Sequence, residues 1–449
     1  MQKELMVGIS GIRGVVGESL TPDIVLKYSS AFGHLCRSGK VVVGRDSRVS
    51  GEMIRSIVIA GLISTGCQVI DLGICATPTV GIAVEGLKAK GGIIITASHN
   101  PIQWNALKFV GPDGIFLSPE ENRKLLDLVS GDRIKYQLWN KLGIIDFDNS
   151  WSRKHIENIL KLKHINVTKI KQKKFRVVLD CCNGAGGIVS PDLLKDMGCD
   201  VIELNCKPDG MFPHDPEPTP KNLYSLCQSV KKHHADLGLA NDPDVDRLAI
   251  VSEKGIPLGE EVTLALATKF ILNRKSNSSV VVNLSTSRMI DDIAKQFNSR
   301  VYRTKVGEAH VARKLREVKG VIGGEGNGGV ILPDLHYGRD ALVGMALILE
   351  YLAESGKSIS QLASELPQYF VVKEKARINK NFERNLTRLK RKYSRGKINS
   401  SDGLRIDYDD FWLQVRKSNT EPQVRIIAEA RSQKEASNLI TEVQKILNS

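Results

Sequence analysis

Short apolar runs alternate with helix-length patterns through the first three quarters of the chain. Val41-Val42-Val43 precedes the polar turn Gly44-Arg45-Asp46-Ser47-Arg48, and a helical pattern runs from Gly51 to Ser64. Val69-Ile70-Asp71-Leu72 reads as a second strand and Gly92 to Ile95 as a third. Ser118-Pro119-Glu120-Glu121 then opens a helix: serine at the N-cap, proline at the first helical position and glutamate at N3 compose a capping box. Such alternation predicts a mainly parallel sheet covered on both faces. The pattern restarts at Phe175-Arg176-Val177-Val178-Leu179-Asp180, after a lysine-rich stretch over 161–174 that reads as a boundary. It restarts again at Ser279-Val280-Val281-Val282-Asn283, after a helical stretch from Glu260 to Leu272. Three comparable α/β units of roughly 100 residues are expected, without a strong sequence repeat.

From about Gln368 the character changes. Charged residues become denser, and Trp412-Leu413-Gln414-Val415 and Val424-Arg425-Ile426-Ile427-Ala428 read as alternating strands. Ser432-Gln433-Lys434-Glu435 caps a last helix that gathers Ala436, Leu439, Ile440, Val443, Ile446 and Leu447 on one side. This is a smaller α+β unit, expected to close over something. The reading divides the chain into domains 1–150, 151–253, 254–366 and 367–449.

Composition adds little to that picture. With 449 residues, 41% hydrophobic and 25% charged, the chain is an ordinary soluble type, too long for one core. The N-terminus does not resemble a signal peptide and no run reaches the ~20 apolar residues of a membrane span, so a cytoplasmic location is expected. Eight cysteines lack the spacing of a disulfide framework and include no C-x-x-C pair; they read as core fillers in a reducing compartment. The net charge of +14 is concentrated in 161–174 and 373–397. Those stretches lack interleaved aromatics for stacking bases, so a small anionic substrate is expected, with no nucleic-acid or membrane partner.

Four loops carry candidate chemistry. Thr96-Ala97-Ser98-His99-Asn100-Pro101 leaves the apolar run Ile93-Ile94-Ile95 and offers Ser98 as a nucleophile beside an imidazole. In Asn241-Asp242-Pro243-Asp244-Val245-Asp246-Arg247, an extended backbone would put Asp242, Asp244 and Asp246 on one face. Carboxylates ~4 Å apart repel by roughly 4 kcal/mol per pair at an effective dielectric near 20, and a hard divalent cation such as Mg²⁺ relieves that. Gly323-Gly324-Glu325-Gly326-Asn327-Gly328-Gly329 is flexible enough to bend around a ligand, with Glu325 and Asn327 able to bridge vicinal hydroxyls. Arg416-Lys417-Ser418-Asn419-Thr420-Glu421-Pro422, with Arg425 beyond, supplies guanidinium, hydroxyl and amide groups for a phosphate cradle.

Together, and in this order, the four loops resemble those of the α-D-phosphohexomutase superfamily; Gly11-Ile12-Arg13-Gly14 and Gly44-Arg45-Asp46 are similar to elements of its first domain. The resemblance implies three related α/β domains with mixed sheets and a smaller C-terminal α+β domain around a central cleft. It implies a phosphorylated Ser98 and one Mg²⁺ held by that phosphate with Asp242, Asp244 and Asp246. The phosphoryl group would pass to a hexose phosphate, and the bisphosphorylated sugar, which also serves as activator, would turn and return its other phosphate. Arg13, His99, Lys108 and Arg247 would surround the reacting group, Glu325 and Asn327 would bind the sugar, and Arg416, Ser418, Asn419, Thr420 and Arg425 would hold the idle phosphate.

Two departures shape the expectation. Gly329 stands where many members have a histidine assigned acid/base work, leaving Lys108, His99 and Arg13 as proton carriers; a lysine in that role needs burial or neighbouring cations. Lys305-Val306-Gly307-Glu308 is similar to an element of bacterial phosphoglucosamine mutases, and an acidic Glu308 favours a protonated 2-amino group. The loop sequences look like archaeal-type phosphoglucosamine mutases. The expected reaction is therefore glucosamine 6-phosphate to glucosamine 1-phosphate, by a monomer or homodimer. Phosphomannomutase/phosphoglucomutase activity is the alternative, and a serine-dependent sugar phosphatase or a non-enzymatic basic binding protein would be different classes.

Overall fold

Strands buried on both faces need no alternation, and the runs Ile93-Ile94-Ile95 and Val280-Val281-Val282 are buried throughout. A computed structural model describes residues 5–8, 11–131, 133–378, 381–417 and 423–448. It places these runs in four sheets. The first has seven strands: β1 (Met6–Gly8), β2 (Gly11–Val15), β3 (Lys40–Arg45), β4 (Gln68–Ile74), β5 (Gly91–Ile95), β6 (Trp104–Val110) and β7 (Ile145–Phe147), in the order β1-β2-β6-β5-β3-β4-β7. The second contains β8 (Arg176–Asp180), β9 (Asp200–Leu204), β10 (Leu237–Asn241) and β11 (Leu248–Ser252), ordered β11-β10-β8-β9. The third contains β12 (Ser279–Asn283), β13 (Arg300–Thr304), β14 (Ile322–Glu325) and β15 (Gly329–Ile331), ordered β13-β12-β14-β15.

One four-strand plan recurs in all three. The first strand pairs in parallel with the second and the third, and the fourth returns antiparallel beside the third. Strands β3 to β6, β8 to β11 and β12 to β15 each follow it. The repeat anticipated from the pattern is thus a repeat of topology. The sheets are mixed: two of three pairings are parallel in the second and third, and in the first the hairpin β1-β2 and its pairing to β6 add antiparallel strands at one edge. The Ser118 capping box forms, both reciprocal hydrogen bonds included. Within the lysine-rich stretch 161–174, helix Val167–Lys173 forms and buries Ile170.

The fourth sheet is antiparallel, with β16 (Phe370–Arg377), β17 (Lys397–Asn399), β18 (Leu404–Asp407), β19 (Trp412–Lys417) and β20 (Gln423–Ala430) ordered β16-β20-β19-β18-β17. Helices Phe382–Lys392 and Gln433–Asn448 pack with it around a separate core that includes Leu389, Ile406, Val424 and Val443. The expected alternation of β19 and β20 is not seen. Trp412 to Arg416 are all buried, because the second face of the sheet lies against the third unit through polar groups. Ser285 Oγ donates to Gln414 Oε1 (2.7 Å), and the Arg288 backbone N–H donates to Glu429 Oε1 (3.1 Å). Arg288 also reaches the carbonyls of Asp409 and Phe411.

The second and third units, by contrast, share one apolar core running from Ile156 through Leu239, Leu264 and Val282 to Leu347. All eight cysteines are free thiols, six of them buried. Among the described residues no helix is long and apolar enough to cross a membrane.

Candidate active site

In an α/β sheet the carboxyl ends of the parallel strands are where ligand-binding loops collect. Here the third strand of every unit, β5, β10 and β14, ends in one of the loops singled out above.

The chain leaving β5 is held by a buried polar scaffold. Thr96 Oγ1 accepts from the Ser98 N–H (2.9 Å) and donates to Asp46 Oδ2 (2.6 Å). Arg48 clamps the same carboxylate through its backbone N–H (2.9 Å) and Nε (3.0 Å). Its two terminal nitrogens donate to the carbonyls of Ser98, Asn100, Pro101 and Trp104 at 2.6–3.0 Å. One guanidinium thereby satisfies four carbonyls of a turn that would otherwise leave them orphaned. Within this clamp Ser98 takes φ +51°, a left-handed conformation that costs a non-glycine residue energy and persists only where its surroundings enforce it. The result aims Ser98 Oγ at Asp242 Oδ2 (2.9 Å), with His99 Nδ1 3.2 Å away.

Between β10 and β11 the three aspartates converge, but not by strand alternation. The segment is a turn: Val245 sits at φ +63°, unusual for a β-branched residue, and its N–H bonds back to the Asp242 carbonyl (3.1 Å). Asp242 Oδ1 accepts the backbone N–H groups of Asp246 and Arg247, both at 3.1 Å. Asp244 Oδ2 accepts from Lys108 Nζ (2.7 Å) and Thr77 Oγ1 (2.9 Å). All three carboxylates are buried and offer ligand atoms within 4.8 Å of one another. Asp244 Oδ1 and Asp246 Oδ1 have no hydrogen-bond partner among the described residues. Burial, then Asp246 and Asp244, push Asp242 well above the usual carboxylate range. Asp244 stays well below it despite burial, because Lys108 stands beside it. An all-oxygen, partly unsatisfied set of this kind fits a hard divalent cation.

The third loop is organised by a residue to which the sequence assigned no role. Arg339 is buried and donates to three carboxylates: Nη1 to Glu325 Oε2 (2.8 Å), Nε to Glu308 Oε2 (3.0 Å), and Nη2 to Asp246 Oδ2. Its backbone N–H takes the other Glu308 oxygen (2.9 Å). Both oxygens of Glu308 are therefore engaged within the protein. Glu325 is further held by Asn283 Nδ2 (2.7 Å) and the Gly307 N–H (3.0 Å); burial would raise its pKa, yet Arg339 and these bonds bring it below its ordinary value. Asn327 Oδ1 accepts from the Gly329 N–H (3.2 Å).

The glycines here serve close packing more than bending around a ligand. A Cβ on Gly329 would meet Arg339 Cδ at 2.3 Å, so the absent histidine and the placement of Arg339 are one fact. A Cβ on Gly324, at φ +154°, would meet the Gly329 carbonyl oxygen at 2.1 Å.

These loops open onto one cleft of about 730 Å³. Ser98, Arg13, His99, Lys108, Arg247, Lys305, Glu308, Glu325, Asn327, Arg416 and Arg425 all line it. The aspartates lie just behind Ser98. At one end, Arg13 is hydrogen-bonded to Asn100, and burial drives its pKa down to about 10. His99 falls well below the usual imidazole value, first through burial and then through Arg247 and Arg13. The groups beside Lys108 are the carboxylates of Asp244 and Asp246, at 2.7 and 3.9 Å, rather than cations. Glu217 reaches in from the long segment before the second unit's last helix, 3.4 Å from Arg247 and 3.9 Å from His99 Nε2. At the other end, Arg416 and Arg425 are register partners on β19 and β20. Ser418, Asn419 and Thr420 lie outside the described residues.

Comparison with known proteins covers nearly the whole chain. Four domain profiles of one family match in succession. They are described as phosphoglucomutase/phosphomannomutase alpha/beta/alpha domain I (residues 4–133), domain II (153–255), domain III (259–370) and C-terminal domain (367–446). A protein of Methanopyrus kandleri named "Probable phosphoglucosamine mutase" is 41% identical, covering 98% of this chain and 97% of its own. A "Phosphoglucomutase/phosphomannomutase" of Thermococcus kodakarensis is 40% identical, covering 96% of each. The crystal structure of a phosphoglucomutase/phosphomannomutase family protein from Burkholderia thailandensis superposes with a TM-score of 0.87 at 28% identity, over 98% of this chain and 96% of that one.

Proposed function

Since the chain belongs to the phosphoglucomutase/phosphomannomutase family and is a phosphohexomutase, we propose that it interconverts glucosamine 6-phosphate and glucosamine 1-phosphate through a phosphorylated Ser98. The observation that carries this reading is Ser98 Oγ, strained into the cleft and 2.9 Å from a buried carboxylate of a three-aspartate cluster. In the reaction, the Ser98 phosphoryl group passes to the free hydroxyl of the sugar phosphate. The sugar O–P bond forms as the Ser98 O–P bond breaks, and the proton lost by the hydroxyl ends on Ser98 Oγ. The bisphosphorylated sugar, also the activator, turns within the cleft and returns its other phosphoryl group to Ser98.

Asp242, Asp244 and Asp246 would hold one Mg²⁺ together with the Ser98 phosphate, and the bound ion supplies charge neutralisation on the transferring group. Lys108 orients Asp244, and Arg13 and Arg247 face the transferring group with fixed positive charge. His99, kept neutral by burial and flanking guanidiniums, hydrogen-bonds and orients the serine oxygen through Nδ1 rather than carrying a charge there. Glu325, with Asn327 and Lys305, receives the sugar hydroxyls, while Arg416, Arg425 and the 418–420 segment take the idle phosphate. Charge stabilisation and positioning of this kind supply most of the rate in phosphoryl transfer. The same reading takes the chain as four domains, 1–150, 151–253, 254–366 and 367–449.

The amino sugar is supported by the names of relatives such as that of M. kandleri; Glu308 lines the cleft but, like Glu325, has both oxygens already hydrogen-bonded within the protein, so it does not select the sugar by itself. Coupled assays on glucosamine 6-phosphate, mannose 1-phosphate and glucose 1-phosphate test it. The first is expected to give the highest kcat/KM. If mannose or glucose phosphates turn over faster, the assignment of the sugar is wrong and the alternative, phosphomannomutase/phosphoglucomutase, replaces it.

A further inference from the structure

The loop holding Glu325 belongs to the third unit and the pair Arg416 and Arg425 to the fourth, so what crosses between the units sets their relative placement. Two side chains of the C-terminal unit make that crossing, and both line the cleft. Lys373, on β16, donates from Nζ to the Gly326 carbonyl (3.3 Å) and to Glu260 Oε2 (3.0 Å), at the start of helix Glu260–Arg274. Glu261 Oε1, buried and without a hydrogen-bond partner among the described residues, lies 3.8 Å from the same nitrogen. Gly326 is itself confined: its N–H donates to Thr286 Oγ1 (3.1 Å), and a Cβ there would meet Glu261 Oε2 at 2.1 Å. Asp402, just before β18, takes a second route. Its Oδ2 accepts the Val306 N–H (2.9 Å), and the next N–H, that of Gly307, donates to Glu325 Oε1 (3.0 Å). Glu325 is thus held twice from the C-terminal unit, through the carbonyl of the residue after it and through a donor to its own carboxylate.

Both bridges lead to the phosphate end. Antiparallel pairing sets Lys375 opposite Arg425, and Arg425 opposite Arg416. Lys373 is two places along the same strand and on the same face, about 7 Å away. Burial lowers the pKa of Arg416, and Asp402 is the largest charge opposing that shift, so the second bridge also stands beside the arginine pair.

We propose that Lys373 and Asp402 are positioning residues for phosphoryl transfer: they tie the seating of the idle phosphate at Arg416 and Arg425 to the placement of Glu325 against the sugar. The inference rests on the roles given above to Glu325 and the arginine pair, and it holds whichever sugar is preferred. Binding energy from the part of the substrate that does not react then aligns the part that does. In either orientation of the sugar, the seated phosphate acts on the same loop.

Steady-state kinetics on the full chain, with the hexose phosphate it turns over fastest, test the proposal. Lys373→Met and Asp402→Ala should each lower kcat about tenfold and change KM by less than about threefold, since a small misplacement costs rate more than affinity. Lys373 is exposed and Asp402 half-buried, so both melting temperatures should stay within about 2 °C of the unsubstituted chain. Lys373→Arg, which keeps donors for Glu260 and the Gly326 carbonyl, should recover most of the rate. Combined with Arg416→Ala, either substitution should cost less in kcat/KM than the product of the two single losses, because a phosphate no longer gripped has nothing to transmit. Unchanged kcat in both variants, a rise in KM alone, or losses that simply multiply with Arg416→Ala overturn the proposal. Glu325→Gln separates it from the reading beneath it. If that variant keeps full activity, the role of Glu325 is wrong and the proposal falls with it. If it loses activity while Lys373→Met and Asp402→Ala do not, the coupling alone is wrong.

Discussion

The turns after β5 and β10 occupy the same place in two copies of one topology, and each contains a non-glycine residue in the left-handed region, Ser98 and Val245. Their polar groups are treated in opposite ways. Around Ser98 the buried donors and acceptors are matched, with Asp46, Arg48 and Thr96 closing a network that fixes the backbone. Around Val245 three carboxylates are crowded together and two oxygens are left without hydrogen-bond partners among the described residues. The first turn is finished by the protein itself. The second keeps two acceptor oxygens unmatched even with Lys108 and Arg339 beside it.

Perturbing each turn separately should expose that difference. The largest effect belongs to Ser98→Ala, which removes the phosphate carrier without touching the scaffold. Mutase activity should fall by at least about 10⁴-fold, the fold should be kept, and a phosphate seen on the intact wild-type chain by mass spectrometry should be gone.

Next comes the metal. Chelation should lower the rate roughly 10³-fold, with Mg²⁺ restoring it. Stability should follow the same site. Burial, with Asp246 and Asp244, raises Asp242 above its unfolded value. The stability linked to it is therefore full below about pH 4 and is lost as pH rises through the raised folded value. In the metal-free protein the melting temperature should fall with increasing pH. Saturating Mg²⁺ should raise it by roughly 3 °C at pH 8 and little near pH 5. Asp242→Asn should remove most of this pH dependence while abolishing activity; a metal-free Asn variant as pH-dependent as wild type would mean that repulsion does not govern the turn.

A smaller loss in rate, but a larger one in stability, is expected of Arg339→Ala. Three buried carboxylates lose their shared cation, which should cost about 3–5 kcal/mol in chemical denaturation and about 10²-fold in kcat. Lysine should recover only part, since it cannot fork between Glu325, Glu308 and Asp246. The mildest is Arg416→Ala, at the far end of the cleft. It should raise KM for the sugar phosphate about tenfold with a smaller change in kcat, the mark of a group that holds the phosphate not being transferred.

The residues legible in the sequence are those whose neighbours in space are neighbours in the chain. Ser98 follows its strand directly, and Asp242, Asp244 and Asp246 lie within five positions, so their types and spacing were sufficient to mark them. The reason for their convergence was nevertheless misread: extended alternation was expected, and a turn around Val245 does the work. Arg339, Asp46, Arg48, Thr77 and Asn283 left no local signal of their roles, because each acts across 14 to 167 positions of chain or through a scaffold. Tyr337-Gly338-Arg339-Asp340-Ala341 is similar to the family in sequence but suggests no role, and Gly329 hints at Arg339 only once the side chain is seen filling the space. In the fold, the long buried strands announced themselves, whereas β1 and β7, three residues each, are too short for any period to show.

The large apolar core shared by the second and third units carries a last consequence. Those units cannot melt one at a time, since either alone would expose the half of that core it no longer covers. The aspartate turn and the Glu325 loop thus ride on one cooperative block. The C-terminal sheet has its own core and meets the third unit through a seam of hydrogen bonds, so it is expected to open at a lower free energy than that block. Water can replace such a seam bond for bond, as it cannot replace apolar packing. Distances at the metal end of the cleft are in this sense built in, while those set by Arg416 and Arg425 depend on how that seam holds.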